Sequence, residues 1–167
     1  AAAKDKARRD KELGDERAVC FHHRGVCEAQ LKRLPAALND LNKAIELDPD
    51  DARAYRDRAE VFAAAGKVER AEADFTRDIT KNPHDARAFF GRGYLHSLAK
   101  RYELAVSDLT SAIGRDNAHA MAYHRRGEAL AGLGRFPQAI VDFETAIDLD
   151  ENLIAAYCSR GLAVARA

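Results

Sequence analysis

Four arginines in this 167-residue chain are each followed, sixteen residues later, by an aspartate: Arg24 and Asp40, Arg58 and Asp74, Arg92 and Asp108, Arg126 and Asp142. A guanidinium is a planar fork that meets a carboxylate through two parallel hydrogen bonds, which an ammonium cannot do. If each arginine and its aspartate lie on the two helices of one hairpin, the chemistry on offer is a structural clamp. Removing one partner of such a pair strands a charge. A fifth arginine, Arg160, has no counterpart, because its aspartate would fall near position 176. The expectation is that the natural chain continues into that missing helix.

A second cluster has metal-ligand chemistry. Cys20, His23 and Cys27 stand at i, i+3 and i+7, on one helix face, with His22 alongside. Thiolates and imidazoles bind zinc, but a structural site needs four ligands in tetrahedral array. No fourth ligand stands at a recognisable spacing, and the phase of the chain sends both cysteines toward packing positions. No metal and no cofactor are expected. The sequence holds no nucleophile elbow, phosphate loop or paired-carboxylate cleft, and His84 and His119 fall at helix junctions. The chain reads as no enzyme.

Bulk composition narrows the classes further. With 27 basic and 27 acidic residues the formal net charge is zero, which argues against general nucleic-acid or membrane-surface binding. No apolar run approaches the roughly 18 residues of a spanning helix. The stretch from Ala1 to Arg9 is charged and lacks the apolar core of a secretory signal. Three cysteines are too few for a disulfide framework, so a reducing, cytoplasmic compartment is expected. The absence of an initiating Met suggests a piece of a longer protein.

The elements that must position these residues follow from a period of 34. Phe21, Tyr55, Phe89, Tyr123 and Tyr157 each precede, by three residues, an arginine followed by glycine or alanine. A fixed period means an array of one small unit. Within the segment 52–85, apolar residues recur at helical spacing in two runs, Tyr55, Ala59, Phe62 and then Val68, Ala71, Phe75, Ile79. Gly66 and Lys67 separate the runs, and Asn82-Pro83 ends the second. Each unit is therefore a helical hairpin, giving nine repeat helices plus a short one near Lys4–Leu13. The small residues Gly25, Ala59, Gly93, Gly127 and Gly161, with Ala37, Ala71, Ala105 and Ala139, let two helix axes approach closely. Glycine within a helix costs about 0.5–1 kcal/mol relative to alanine, so its recurrence points to packing.

This pattern resembles the tetratricopeptide repeat family. The aromatic, the small residue, the later Ala, then Leu41, Phe75, Leu109 or Phe143, then Ala44, Ala112 or Ala146, and the prolines Pro49 and Pro83 carry the likeness. It covers four full repeats (18–51, 52–85, 86–119, 120–153) and a half repeat (154–167), after a charged N-terminal segment (1–17). The resemblance implies an all-α, right-handed superhelical solenoid of antiparallel helix pairs. Its concave groove, lined by the first helix of each pair, would bind a peptide or partner helix. The implied lining residues are His22, Val26 and Gln30; Arg53, Arg56 and Glu60; Arg87, Phe90, Tyr94 and Leu98; Met121, His124, Arg125 and Glu128.

In the third repeat Phe90, Tyr94 and Leu98 follow i, i+4, i+8 spacing and form an apolar stripe that Met121 would extend. Arg53, Arg56, Arg87 and Arg125 flank it. Such a groove suits an acidic, amphipathic peptide; the other reading is a stripe buried by helix curvature or by the N-terminal segment, among ordinary solvated charges. Some family members hold acidic chaperone tails in a clamp of lysine, asparagine and arginine. The matching places here hold His22, Val26, Asp57, Arg87 and Gly91, or Arg56, Glu60, Gly91, Met121 and Arg125. Neither set has the asparagines, so chaperone-tail capture is not expected. The expected role is a protein-interaction scaffold or adaptor. The alternatives are a non-catalytic recognition arm of a larger enzyme or chaperone-associated complex, and self-association through Tyr157, Leu162 and Val164.

Departures from the pattern carry their own expectations. Asp78 replaces the alanine found at Ala44, Ala112 and Ala146; a carboxylate at a packed place needs a partner, such as Arg92, unless its helix turns it to solvent. Glu28 and His96 take places held elsewhere by Phe62 and Leu130. Asn117 and Glu151 replace the terminating proline, so those junctions are expected to be less sharply set.

Overall fold

The computed structural model describes residues 2–167, with side chains described for Asp5 and for residues 13–167. Nine helices and no strand occur among the described residues. They are α1 (Ala2–Gln30), α2 (Leu34–Leu47), α3 (Ala52–Ala64), α4 (Val68–Lys81), α5 (Ala86–Leu98), α6 (Tyr102–Ile113), α7 (Ala120–Gly132), α8 (Phe136–Leu149) and α9 (Ile154–Val164). They divide into two compact units, Ala1–Pro83 with α1 to α4, and His84–Ala167 with α5 to α9. The separate short helix expected near Lys4–Leu13 is instead the first part of α1. A lone interior glycine, Gly14, costs a helix only about 1 kcal/mol, too little to interrupt it.

The turn inside each hairpin has one conformation. Lys32, Gly66, Lys100 and Gly134 all have positive φ, at 59°, 70°, 57° and 73°, and they stand 34 residues apart. The next amide then reaches five residues back: Arg33 to the Glu28 carbonyl, Lys67 to Phe62, Arg101 to His96 and Arg135 to Leu130, all at 2.8–2.9 Å. This left-handed closure satisfies carbonyls left over at the end of the first helix. Helix starts use other devices. The carboxylates of Asp51 and Asp85 accept from the Arg53 and Arg87 amides and cap α3 and α5, and a proline opens α2 and α8.

Small residues set the spacing within a hairpin. A Cβ placed on Gly25 would lie 2.8 Å from Leu41 Cγ, and one on Gly127 only 2.6 Å from Phe143 Cε1. Ala37, Ala71, Ala105 and Ala139 are fully buried on the second helices. Leu41, Phe75, Leu109 and Phe143 are the large core side chains. In the N-terminal unit, Ala44 and Ile45 of α2 pack with Ala54 and Tyr55 of α3. In the C-terminal unit, Ala146 and Ile147 of α8 pack with Ala156 of α9.

Candidate functional site

The repeated arginines grip their aspartates side-on. Arg24 donates Nε and Nη2 to Asp40 at 2.6 Å each, and Arg58 donates to Asp74 at 2.7 and 2.9 Å. Arg92 meets Asp108 at 2.8 Å twice, and Arg126 meets Asp142 at 2.8 and 2.7 Å. All four carboxylates are buried. The Arg24 hydrogen bonds hold the Asp40 carboxyl below the usual carboxylate range, against the opposing effect of burial. The guanidinium of Arg126 is raised by its hydrogen bonds to Asp142.

Sequence reasoning missed a third contact. Arg58 also donates Nη1 to Asn42 Oδ1 at 2.7 Å, and Arg126 donates Nη1 to Thr110 Oγ1 at 3.2 Å. Each of these two arginines thus joins three helices: α2, α3 and α4, or α6, α7 and α8. The signal was present, since residues 42, 76, 110 and 144, sixteen before each arginine, are Asn, Thr, Thr and Glu. The guanidiniums of Arg24, Arg58, Arg126 and Arg160 also stand 5.2–5.8 Å from the ring centroids of Phe21, Tyr55, Tyr123 and Tyr157.

In the C-terminal unit, the stripe on α5 is graded from core to surface. Phe90 is half-buried against Ala105, Leu109 and Ala129 and meets the His119 ring edge-on at 4.6 Å. Tyr94 is half-buried, with the Arg125 guanidinium 4.8 Å from its ring centroid. Arg125 also donates Nη1 to Glu128 Oε2 at 2.8 Å. Leu98 is 62% exposed, Met121 is half-buried, and Arg87 is exposed and turned onto Asp85.

In the N-terminal unit, Arg53 and Glu60 are exposed and Val26 is half-buried. Arg53 folds back onto Asp51 at 3.0 Å. Burial opposes the Asp51 charge, but the hydrogen bonds and charge of Arg53, with the charge of His22, keep its carboxyl below the usual range.

Three residues expected in the groove, Arg56, His124 and His22, are buried instead. Arg56 is 5% exposed and lies 3.4 Å from Asp57 and 3.9 Å from Asp78. His124 is 2% exposed and hydrogen-bonds Ser159 Oγ at 3.2 Å. Both follow the repeat aromatic directly, where polar groups of their own unit take them up. His22, at the same repeat position, is also buried, with Nε2 hydrogen-bonded to Asp57.

The departures from the repeat pattern have these places. Asp78 is fully buried, as a packed position implies, and Arg56 of the same unit lies 3.9 Å away. Glu28 is half-buried with Arg33 at 3.5 Å, and His96 is buried 3.5 Å from Asp108. Cys20 and Cys27 are exposed rather than packed; α2 meets α1 at Gly25 and Ala29 instead. Among the described residues no group of three or more His, Cys, Asp and Glu could hold a metal ion. No helix among them is long and apolar enough to cross a membrane.

Comparison with known proteins bears on this geometry. The family description TPR repeat matches residues 28–66, and the description tetratricopeptide repeat matches 56–120 and 120–153. No curated protein sequence matches the chain. Among solved structures, MamA 41-end from Desulfovibrio magneticus RS-1 superposes with a TM-score of 0.83 at 22% identity, over 90% of this chain and 85% of that one. YrrB, a TPR protein with an unusual peptide-binding site, gives 0.78 at 22% identity, over 95% of this chain and 81% of its own. The second TPR domain of human RPAP3, solved in complex with the HSP70 peptide SGPTIEEVD, gives 0.66 at 32% identity, over 68% of this chain and 94% of that domain. The fold is all-α and built of stacked helix pairs, and the chain belongs to the tetratricopeptide repeat family.

Proposed function

We propose that this chain is a recognition segment that holds a peptide or helix of a partner protein against the first-helix face of its C-terminal unit. The observation that carries the reading is the α5 stripe, with Phe90 and Tyr94 half-buried and Leu98 open at 62%. Exposed apolar surface of this kind marks interaction sites on soluble domains. Met121 adds to the floor, and Arg125 supplies a guanidinium at the side while Arg87 is turned onto Asp85, so the partner is amphipathic, with an acidic group beside its apolar face. The engagement of Arg125 by Tyr94 and Glu128 presents its guanidinium in a fixed place. The peptide-bound RPAP3 domain and the peptide-binding site of YrrB support protein or peptide partners.

A chaperone tail is not the partner proposed, since the clamp places lack asparagine. Pull-down of partners from a lysate of the source cell by the intact chain, compared with Phe90→Ala/Tyr94→Ala, tests the groove. Equal capture by both removes it. Titration with SGPTIEEVD tests the second point, and micromolar binding would overturn it.

A second reading has its own observation. The α9 helix leaves Tyr157, Leu162 and Val164 exposed at 42%, 63% and 59%, a face that two copies can share as a weak dimer. Light scattering across concentration separates the two, since a mass that stays monomeric excludes the dimer.

A further inference from the structure

The first helix of each hairpin presents one side to the second. On α5 and α7 that side is covered. Gly93 and Gly127 are buried, and a Cβ on them would lie 2.9 Å from Leu109 Cγ and 2.6 Å from Phe143 Cε1. Leu130, three residues beyond Gly127, is 7% exposed, and Arg126 is held by Asp142. On α9 the corresponding side is open. Gly161 is exposed, and a Cβ there meets nothing within 4 Å. Val164, in the place of Leu130, is 59% exposed. Among the described residues no carboxylate meets Arg160, which is half-buried with its guanidinium 5.8 Å from the Tyr157 ring centroid.

That ring contact does not use up the arginine. Arg126 stands 5.5 Å from the Tyr123 centroid and at the same time donates Nε and Nη2 to Asp142. The Arg160 fork therefore remains available to a carboxylate.

What covers such a side is written four times in this chain. Each second helix brings an alanine, three residues later an aspartate, and next to it a leucine or phenylalanine. On α2 these are Ala37, Asp40 and Leu41, and on α8 Ala139, Asp142 and Phe143, all of them buried. The alanine permits close approach, the aspartate takes both arms of the arginine, and the large apolar side chain lies on the glycine. A second copy of α9 cannot supply this set, because Ile154–Val164 holds no Asp or Glu.

We propose that this side of α9 binds, in trans, an amphipathic helix of a partner protein that carries Ala-x-x-Asp followed by Leu or Phe. Arg160 holds the aspartate of that helix, and its large apolar side chain seats on Gly161. The surface is separate from the α5 stripe, and it differs from the dimer reading in what occupies it.

The test uses the whole 167-residue chain, ¹⁵N-labelled, and three synthetic helices of about 18 residues in an alanine, glutamine and lysine background, followed by NMR titration. The first carries Ala-x-x-Asp-Phe, the second has asparagine for the aspartate, and the third has serine for the phenylalanine. The first should shift the amides of Tyr157, Arg160, Gly161 and Val164, and bind at least about tenfold tighter than the other two. Arg160→Gln should erase the difference between the aspartate and asparagine helices. Gly161→Leu, which enters open space in the free chain, should abolish binding while leaving the spectrum folded. Equal affinity for the aspartate and asparagine helices, or binding unchanged by either substitution, overturns the proposal. Shifts at Phe90, Tyr94 and Arg125 with none on α9 overturn it too, but leave the α5 stripe standing. Light scattering on the same samples separates the occupants: a dimer that the first helix does not dissociate assigns the face to a second copy and overturns the proposal. If no helix binds, the α9 proposal fails, and the pull-down with Phe90→Ala/Tyr94→Ala judges the other site by itself.

Discussion

Arg126 holds Asp142 through two hydrogen bonds of 2.8 and 2.7 Å, and the aspartate side chain is only 6% exposed while the arginine is 20% exposed. The pair spans α7 and α8, so it sets how that hairpin closes. Asp142→Asn keeps the size of the side chain and removes its charge. It should destabilise the chain by about 1–3 kcal/mol, read by urea unfolding. Arg126→Lys should lose a comparable amount, because an ammonium cannot reproduce the fork or reach Thr110 at the same time. A lysine variant as stable as the parent would refute the two-point account.

Gly127 and Gly161 occupy the same repeat position and should respond oppositely to alanine. A Cβ on Gly127 meets the Phe143 ring at 2.6 Å, whereas one on Gly161 meets nothing within 4 Å. Gly127→Ala should cost about 1–3 kcal/mol through overpacking. Gly161→Ala should be neutral or stabilise by about 0.5 kcal/mol, since alanine is the better helix former. Thermal melts of the two variants side by side decide it, and equal shifts would show that the close approach is not what selects glycine.

Lysines at two of the four left-handed turn positions are a local cost. An L-residue in this region gives up about 1–2 kcal/mol, part of which returns because glycine has more freedom when unfolded. Lys100→Gly should therefore raise the melting temperature by about 1–4 °C. A fall in calorimetry would mean that the lysine side chain contributes an interaction outweighing its backbone strain.

His124 gives the fold a pH dependence. Burial pushes its pKa below the ordinary histidine value, and the nearby Glu128 charge opposes that only in part. Below about pH 6.5 the unfolded chain takes a proton at this residue while the folded chain stays neutral. The unfolded state then binds more protons, so stability falls as pH drops through that window and levels off below the folded pKa. His124→Phe should flatten this slope relative to the parent between about pH 5 and 7. Parallel curves would exclude His124 as the cause. Asp40 acts in a lower window: its depressed carboxyl stabilises the fold above the usual aspartate pKa, and that contribution is lost as pH falls further.

The helices are readable from the sequence because one pattern of aromatic, arginine and small residue repeats every 34 residues, and turn residues fall between the apolar runs. The partner of each arginine is readable because a sixteen-residue spacing spans two helices and a short turn. Its second reach, from Arg58 to Asn42 or from Arg126 to Thr110, is harder to see because it crosses to the preceding hairpin. The burial of Arg56 and His124 was not legible. A first-helix position reads as groove by phase alone, yet its exposure depends on polar groups elsewhere in its unit, Asp78 for one and Ser159 for the other.

The arginine that touches three helices has a consequence for how the chain comes apart. In a stacked array, stability divides into what each hairpin holds on its own and what it gains from its neighbour. Arg58 contributes to both at once, through Asp74 within its hairpin and Asn42 in the one before. Loss of that single side chain should lower the opening free energy of α3 and α4 together with α2, so that amides in all three helices exchange with solvent as one event.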